Sequence, residues 1–216
     1  MSLLVQPAAT AAATAAVAAG QCIVLPTDTV YGIGADALNA GAVQALLNAK
    51  GRGRDMPPPV LLPSVDAITE VAADVSSEAY ALAARFWPGA LTLILRAGRR
   101  LDLGDRPDTV AVRVPAHDAV QDLLTHTGLL AVSSANLSGM PPATTVDQAV
   151  AMLGDSVAVY LDGGPTPGEM PSTIVDLSGP GPAKLVRQGV ISLAALRTVC
   201  PCDGLTGQHP GGPTDA

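Results

Sequence analysis

The sequence predicts one α/β domain in which helices pack on a mixed, twisted sheet. Apolar runs with strand character recur along the chain, and segments with helical spacing lie between them. In the second half several strand-like runs follow one another closely, which does not fit a purely parallel, doubly wound sheet. With 216 residues and 48% apolar content the chain is long enough to bury one substantial core. Only 2% of residues are aromatic, so that core has to be built from Ala, Val, Leu and Ile on closely packed backbones.

Taken in order, residues 8–19 read as an Ala-rich helix closed by Gly20. They lack the basic opening and the long Leu/Val stretch of a signal peptide. Strand-like runs occur at 22–25, 60–62, 91–95, 110–114, 129–132, 157–161, 174–177 and 185–187. Helical spacing occupies 42–49, 65–73, 77–86, 118–124, 146–153 and 193–199. Ser64, Ser77, Thr145 and Ser192 stand where side-chain oxygens cap first-turn N–H groups, and Gly128 and Gly154 stand just past a last turn. From Asp203 to Ala216 the composition turns to Gly, Pro, Thr and Asp, which bury too little apolar area to order a segment. The expectation is therefore a domain over 1–202 and a disordered tail over 203–216.

The formal charge of −7 argues against coating nucleic acid through a general positive field, so any tRNA contact is expected to be weak or indirect. Three cysteines, Cys22, Cys200 and Cys202, are too few and too unevenly placed for a disulfide framework, which points to a reducing, cytoplasmic setting. No apolar run approaches the ~20 residues needed to span a bilayer, so no membrane contact is expected. His117, His126 and His209 show no metal-ligand spacing, and Cys200-Pro201-Cys202 lacks a second Cys or His pair, so no resident metal is assigned. Trp87 is expected to plug the core at a helix end.

Three stretches concentrate chemistry. Pro26-Thr27-Asp28-Thr29-Val30-Tyr31-Gly32-Ile33-Gly34 puts hydroxyls, a carboxylate and a phenol directly after a buried-looking strand, with glycines that allow close backbone approach to a ligand. An ordinary turn whose Thr and Asp side chains cap backbone amides reads equally well. Lys50-Gly51-Arg52-Gly53-Arg54-Asp55 gathers three of the 12 basic side chains within five residues, as a polyphosphate site requires. A solvated charge cluster at a helix C-terminus is the alternative. No Gly-x-x-x-x-Gly-Lys-[Ser/Thr] loop occurs, so an ATP site here is not of the P-loop kind.

The third stretch, Ser133-Ser134-Ala135-Asn136-Leu137-Ser138-Gly139 with Thr144 and Thr145 beyond it, follows a strand with small hydroxyl and amide groups suited to phosphate or ribose oxygens. It carries no Gly-x-Ser-x-Gly elbow, which argues against a serine hydrolase. Arg113, Ser172 and Arg187 stand at strand ends, where α/β ligand sites are lined, although a lone strand-end Arg is also a common structural residue.

In order, these segments resemble the YrdC-like family. The matching residues are Pro26 to Ile33, Lys50 and Arg52, Trp87-Pro88-Gly89-Ala90-Leu91-Thr92, Arg113 to Pro115, Ser134 to Gly139, Pro171-Ser172-Thr173 and Val186-Arg187-Gln188-Gly189. The resemblance implies a mixed α/β fold around a deep basic cavity. It implies a reaction joining L-threonine, bicarbonate and ATP, with Mg²⁺, into threonylcarbamoyl-AMP and pyrophosphate, for modification of the tRNA adenosine beside the anticodon by a threonylcarbamoyl transferase complex. By the same resemblance Lys50 and Arg52 are expected as catalytic, triphosphate-holding residues. Ser134, Asn136, Thr144 and Arg187 are expected around the nucleotide, and Thr29, Arg113 and Ser172 around threonine.

The chain departs from the family pattern in three places. Val60-Leu61-Leu62-Pro63 stands where the family commonly has Pro-Leu-x-x-His, so a His contact to threonine is missing. Asp28 shortens the usual Glu, and residues 53–59, rich in Pro and Gly, read as a mobile lid. The chain matches the short form, without a second C-terminal domain. A non-catalytic module of the same fold, binding double-stranded RNA or tRNA, is the main alternative, separable by its salt dependence. A carbamoyl-phosphate-using transferase is a third.

Overall fold

The computed structural model describes residues 6–98 and 101–204. Its helices are α1 (Gln6–Ala18), α2 (Ala40–Lys50), α3 (Ser77–Phe86), α4 (Asp118–Thr127), α5 (Val146–Leu153) and α6 (Leu193–Arg197). Its strands are β1 (Ile23–Leu25), β2 (Gly32–Asp36), β3 (Val60–Leu61), β4 (Leu91–Arg96), β5 (Thr109–Arg113), β6 (Leu130–Ser134), β7 (Val159–Tyr160), β8 (Thr173–Asp176), β9 (Ala183–Arg187) and β10 (Cys202–Asp203). Among the described residues these strands form one sheet in the order β10-β9-β8-β4-β5-β3-β6-β2-β1-β7. Pairs β10/β9, β8/β4, β5/β3 and β1/β7 are parallel and the remainder antiparallel, so the sheet is mixed as the strand spacing predicts. Both margins end in two-residue strands, β10 and β7.

Alternation along the strands sorts side chains to two faces. Ile23 and Leu25, Leu61, and Leu130 and Val132 join Ala13, Val17, Val120, Leu123 and Leu124 in a cluster beneath α1 and α4. Their neighbours Val24, Val60 and Ala131 face the larger core, which also takes Leu46 and Leu47 of α2, Leu82 of α3, Leu153 of α5 and Leu196 of α6. Leu91, Leu93 and Leu95 of β4, Val112 of β5, Val175 of β8 and Leu185 of β9 point into that larger core as well. Each such side chain, fully buried, contributes about 1.5–3 kcal/mol. Helices α1 and α4 cover only the β7-β1-β2-β6-β3 end of their face. Thr92, Ile94, Ala111, Arg113, Ile174 and Val186, on the uncovered end, line a cavity instead.

Caps set the helix ends. Thr145 and Ser192 accept from Gln148 N–H and Ala195 N–H, as their positions in the sequence predict. Ser76 rather than Ser77 caps α3, and Asn39 caps α2 three residues before the periodic pattern becomes evident. Gly128 and Gly154 follow α4 and α5 with positive φ. The helix expected over 65–73 is a short 3₁₀ segment, Asp66–Glu70, and Ser64 caps nothing. Trp87 sits in the core at the end of α3, its indole N–H donating to Leu91 C=O at 2.6 Å.

The main correction concerns β2. Residues 32–36 lie inside or beside the stretch expected to be a ligand loop, yet they form a strand between β1 and β6. Two glycines hide its pattern, and packing explains them: a Cβ on Gly32 would meet Val132 Cγ1 at 2.6 Å, and one on Gly34 would meet Leu25 Cδ2 at 3.0 Å. Asp203, expected to open the tail, pairs with Lys184 in β10, and residues 205–216 lie outside the described residues.

Candidate nucleotide and amino-acid site

The cavity has a volume of about 590 Å³ and is floored by the uncovered half of the sheet. Lys50, Arg52, Arg106, Arg113 and Arg187 line it, against the carboxylates of Asp55, Glu169 and Asp176. The basic stretch after α2 and the serine stretch after β6 meet here. Lys50 Nζ donates to Ser134 C=O, to Asn136 C=O at 2.6 Å and to Asn136 Oδ1 at 3.5 Å. Its three donors therefore have three protein oxygens, and the side chain is only 2% exposed. Burial and the neighbouring Arg52 push its pKa down to about 7, while the three acceptors favour the charged form.

Arg52 is bound differently. Nη1 donates to Ser133 Oγ at 2.9 Å, and Nε is buried with no partner among the described residues. The edge of the guanidinium carrying Nε is thus open, the shape that matches two oxygens of a phosphate. An unpaired buried donor is costly, so an anionic ligand would complete this arrangement. Asn136 is committed to its own loop, donating to Leu137 C=O and Met140 C=O at 2.8 Å each, whereas Ser134 lines the cavity with no such commitment of its side chain among the described residues.

The opposite wall is a chain of hydroxyls and arginines. Arg113 Nη2 pairs with Asp28 Oδ1 at 2.7 Å, Nη1 donates to Thr29 Oγ1 at 3.1 Å and Nε to Gly89 C=O at 2.9 Å. Asp28 Oδ1 also accepts from Ala116 N–H, so the shortened acid still closes the turn. Thr29 Oγ1 lies 2.9 Å from Thr27 Oγ1. Arg187 donates to the Ser172 carbonyl at 2.9 Å through Nη2, and Ser172 Oγ lies 2.8 Å from Thr92 Oγ1. Burial together with the charges of Arg113 and Arg52 pushes Arg187 down to about 10, the signature of cations crowded around one space.

Eight of the nine residues singled out from the sequence line this cavity; Thr144 does not. Its N–H and hydroxyl both donate to Gln148 Oε1, at 2.8 and 3.1 Å, and so serve the start of α5. Thr92 and Arg106 were not singled out, and Asp28 and Ser133 were named only as members of their stretches, with no role assigned. Of these, Asp28 and Thr92 lie inside matched motifs, and Ser133 adjoins one. The Gly/Pro-rich segment expected to be a mobile lid contributes Met56, Pro57, Pro58 and Pro59 to the lining, and it is tied down through Arg54. Tyr31 also lines the cavity, but its hydroxyl donates to Gly164 C=O at 2.7 Å.

The Sua5_yciO_yrdC family model, described as telomere recombination, matches residues 15–189. The chain belongs to the Sua5/YciO/YrdC family. A Mycobacterium tuberculosis member that carries the provisional name threonylcarbamoyl-AMP synthase is 49% identical over 193 residues, covering 88% of each chain. The threonylcarbamoyl-AMP synthase of Pyrococcus abyssi is 37% identical over 184 residues, which span 83% of this chain and 54% of that relative. Among solved Sua5/YciO/YrdC structures, P. abyssi Sua5 complexed with L-threonine superposes with a TM-score of 0.84 at 32% identity, over 93% of this chain and 60% of that one. Escherichia coli YciO, at 23% identity and a TM-score of 0.79, shares the fold.

Proposed function

We propose that this chain is a threonylcarbamoyl-AMP synthase, a nucleotidyltransferase that makes threonylcarbamoyl-AMP and pyrophosphate from L-threonine, bicarbonate and ATP. The observation that carries the reading is the convergence of the Lys50–Arg52 stretch and the Ser134 stretch on one cavity of about 590 Å³, inside the usual range for small-molecule sites. The names of the relatives support the reaction, and the threonine held by P. abyssi Sua5 supports the amino acid.

In this reading the threonine amine takes up bicarbonate as a carbamate, with loss of water. A carbamate oxygen then attacks the α-phosphorus, the bond to the bridging oxygen breaks, and pyrophosphate leaves. Such chemistry needs positioning and charge neutralisation more than a side-chain nucleophile. Arg52 presents its open edge to the phosphates. Lys50 holds the Ser134–Asn136 turn in place and adds positive charge beside it. Arg187 and the Ser134 hydroxyl contact the nucleotide, and Thr29, Arg113 and Ser172 border threonine. Asp55 and Glu169 on the lining would hold a hydrated Mg²⁺ brought in with ATP, which would neutralise charge on the phosphates. The product is a mixed anhydride prone to hydrolysis, which suits prompt hand-off to a tRNA-modifying transferase in the cytoplasm. Among the described residues no helix is long and apolar enough to cross a membrane.

The deciding experiment incubates the purified protein with Mg·ATP, bicarbonate and each amino acid in turn, measuring pyrophosphate and the adenylate. A signal with threonine alone is expected. Silence with every amino acid, together with salt-sensitive binding of double-stranded RNA, would replace the enzyme with an RNA-binding module.

A further inference from the structure

We propose that Arg106, on the loop between β4 and β5, is a further binding residue for the outer phosphates of the nucleotide and for pyrophosphate, seated by a latch centred on Arg54. The inference rests on the nucleotide reading of the cavity.

Arg106 lines the cavity from its exposed rim. Its Nε donates to Asp55 C=O at 3.3 Å, which fixes the stem, and Nη1 and Nη2 have no protein acceptor among the described residues. The other cations of the lining are more heavily committed. Lys50 gives all three donors to Ser134 and Asn136, Arg113 binds through Nε, Nη1 and Nη2, and Arg187 spends Nε and Nη2 on Ser172. Among the described residues of the lining three guanidiniums keep N–H groups open to a ligand: Arg52 at its buried Nε edge, Arg187 at Nη1, and Arg106 at its Nη1/Nη2 edge, at the mouth. An extended polyanion is the ligand that uses one cation deep in a pocket and another at its rim, each through paired N–H groups.

The latch explains why Arg106 remains unneutralised in a loop that carries Asp102, Asp105 and Asp108. Arg54 takes two of those acids, pairing through Nη2 with Asp102 and through Nε with Asp105 at 3.4 Å, and its Nη1 donates to Gln44 Oε1 of α2 at 3.0 Å. The Asp105 N–H donates back to Arg54 C=O at 2.9 Å. Gly104 lies so close that a Cβ there would meet the Arg54 carbonyl oxygen at 2.4 Å. Leu103, between these contacts, is buried in the core and lines the cavity. Arg54 is thus a positioning residue: it fixes the backbone from which Arg106 projects and occupies Asp102 and Asp105, two of the three acids of this loop.

Calorimetry on the full chain, titrated with Mg·ATP, pyrophosphate and AMP, tests the proposal. Arg106→Ala is expected to weaken ATP and pyrophosphate about three- to tenfold, the modest effect of an exposed, screened cation, and to leave AMP within about twofold. Arg106→Lys should recover part of the loss. Arg54→Ala should show the same ligand pattern, and the double variant should bind no more weakly than Arg106→Ala alone. Unchanged ATP and pyrophosphate affinity in Arg106→Ala, an equal loss for AMP, or additive losses in the double variant would overturn the proposal. Wild-type protein that binds ATP but releases no pyrophosphate with threonine would remove the proposed reaction and leave this inference to the binding data. Wild-type protein that binds no ATP would remove both.

Discussion

Lys50 Nζ, at the last residue of α2, donates to the Asn136 carbonyl 2.6 Å away, just beyond β6, so one buried cation joins the two segments that form the site. Replacing Lys50 with Ala leaves the Ser134 carbonyl, the Asn136 carbonyl and Asn136 Oδ1 without this donor. At about 1–3 kcal/mol for an unsatisfied buried group, Lys50→Ala is expected to lose about 2–5 kcal/mol of stability as well as most pyrophosphate release. Arg52→Ala gives up one hydrogen bond, to Ser133, and is expected to cut pyrophosphate release at least tenfold, roughly the size of one lost charge-stabilising contact, with about 1 kcal/mol of stability at stake. Urea denaturation beside a pyrophosphate assay separates the two patterns. A fully active Arg52→Ala enzyme would remove Arg52 from the phosphate site.

The Arg113–Asp28 pair tests the opposite wall. Its side chains are 8% and 15% exposed, so removing the cation strands a carboxylate in a poorly solvated place. Arg113→Ala is expected to cost about 3–5 kcal/mol. Asp28→Asn keeps an oxygen for Ala116 N–H and Arg113 and should cost clearly less. Equal losses in thermal denaturation would mean that the charge on Asp28, not its geometry, closes the turn.

Lys50 also sets a pH dependence. Burial and Arg52 move it from an ordinary 10.5 to about 7. Between pH 7 and 10.5 the unfolded chain holds a proton here that the folded chain has released, so this side chain makes stability rise with pH across that window. The slope contributed is at most about 1.4 kcal/mol per pH unit, and it vanishes below the folded value and above the unfolded one. Lys50→Met should remove that increment from the stability–pH curve. Phosphates favour the charged form, so ATP binding above pH 7 should take up close to one proton, measurable by calorimetry in buffers of different ionisation enthalpy. Proton-neutral binding at pH 8 would contradict this.

Gly189 lies against the segment carrying Ser172. A Cβ added at Gly189 would meet the Pro171 carbonyl oxygen at 2.1 Å and the Ser172 carbonyl carbon at 2.6 Å. Both are backbone atoms, so Gly189→Ala must displace the Ser172 segment. The expected result is a KM for threonine raised severalfold, with the effect on ATP binding smaller. A threonine KM equal to wild type would detach Ser172 from the amino-acid site.

Much of this arrangement was legible in the sequence because local signals and tertiary demands agreed. Val110 to Val114 and Leu91 to Leu95 read as strands since their alternation survives with one face in the core and the other in the cavity. Thr145 and Ser192 stood out as caps because a hydroxyl before a periodic run has few other uses. The failures share a cause in packing. Gly32 and Gly34 look like loop residues until Val132 and Leu25 are seen filling the space above them. Thr144 looks like a ligand residue until Gln148, four positions on, claims its donors. Arg106 gave no signal of its own, since its place at the cavity mouth depends on ion pairs made by Arg54, about 50 residues away in the chain.

The two-residue margins of the sheet bear on how this protein behaves in a crowded solution. A long, flat outer strand presents a row of unpaired amide and carbonyl groups, on which a neighbouring chain can assemble. Here β7 and β10 end that row after two residues each, so a broad sheet of mostly aliphatic side chains offers little purchase for fibrous self-association.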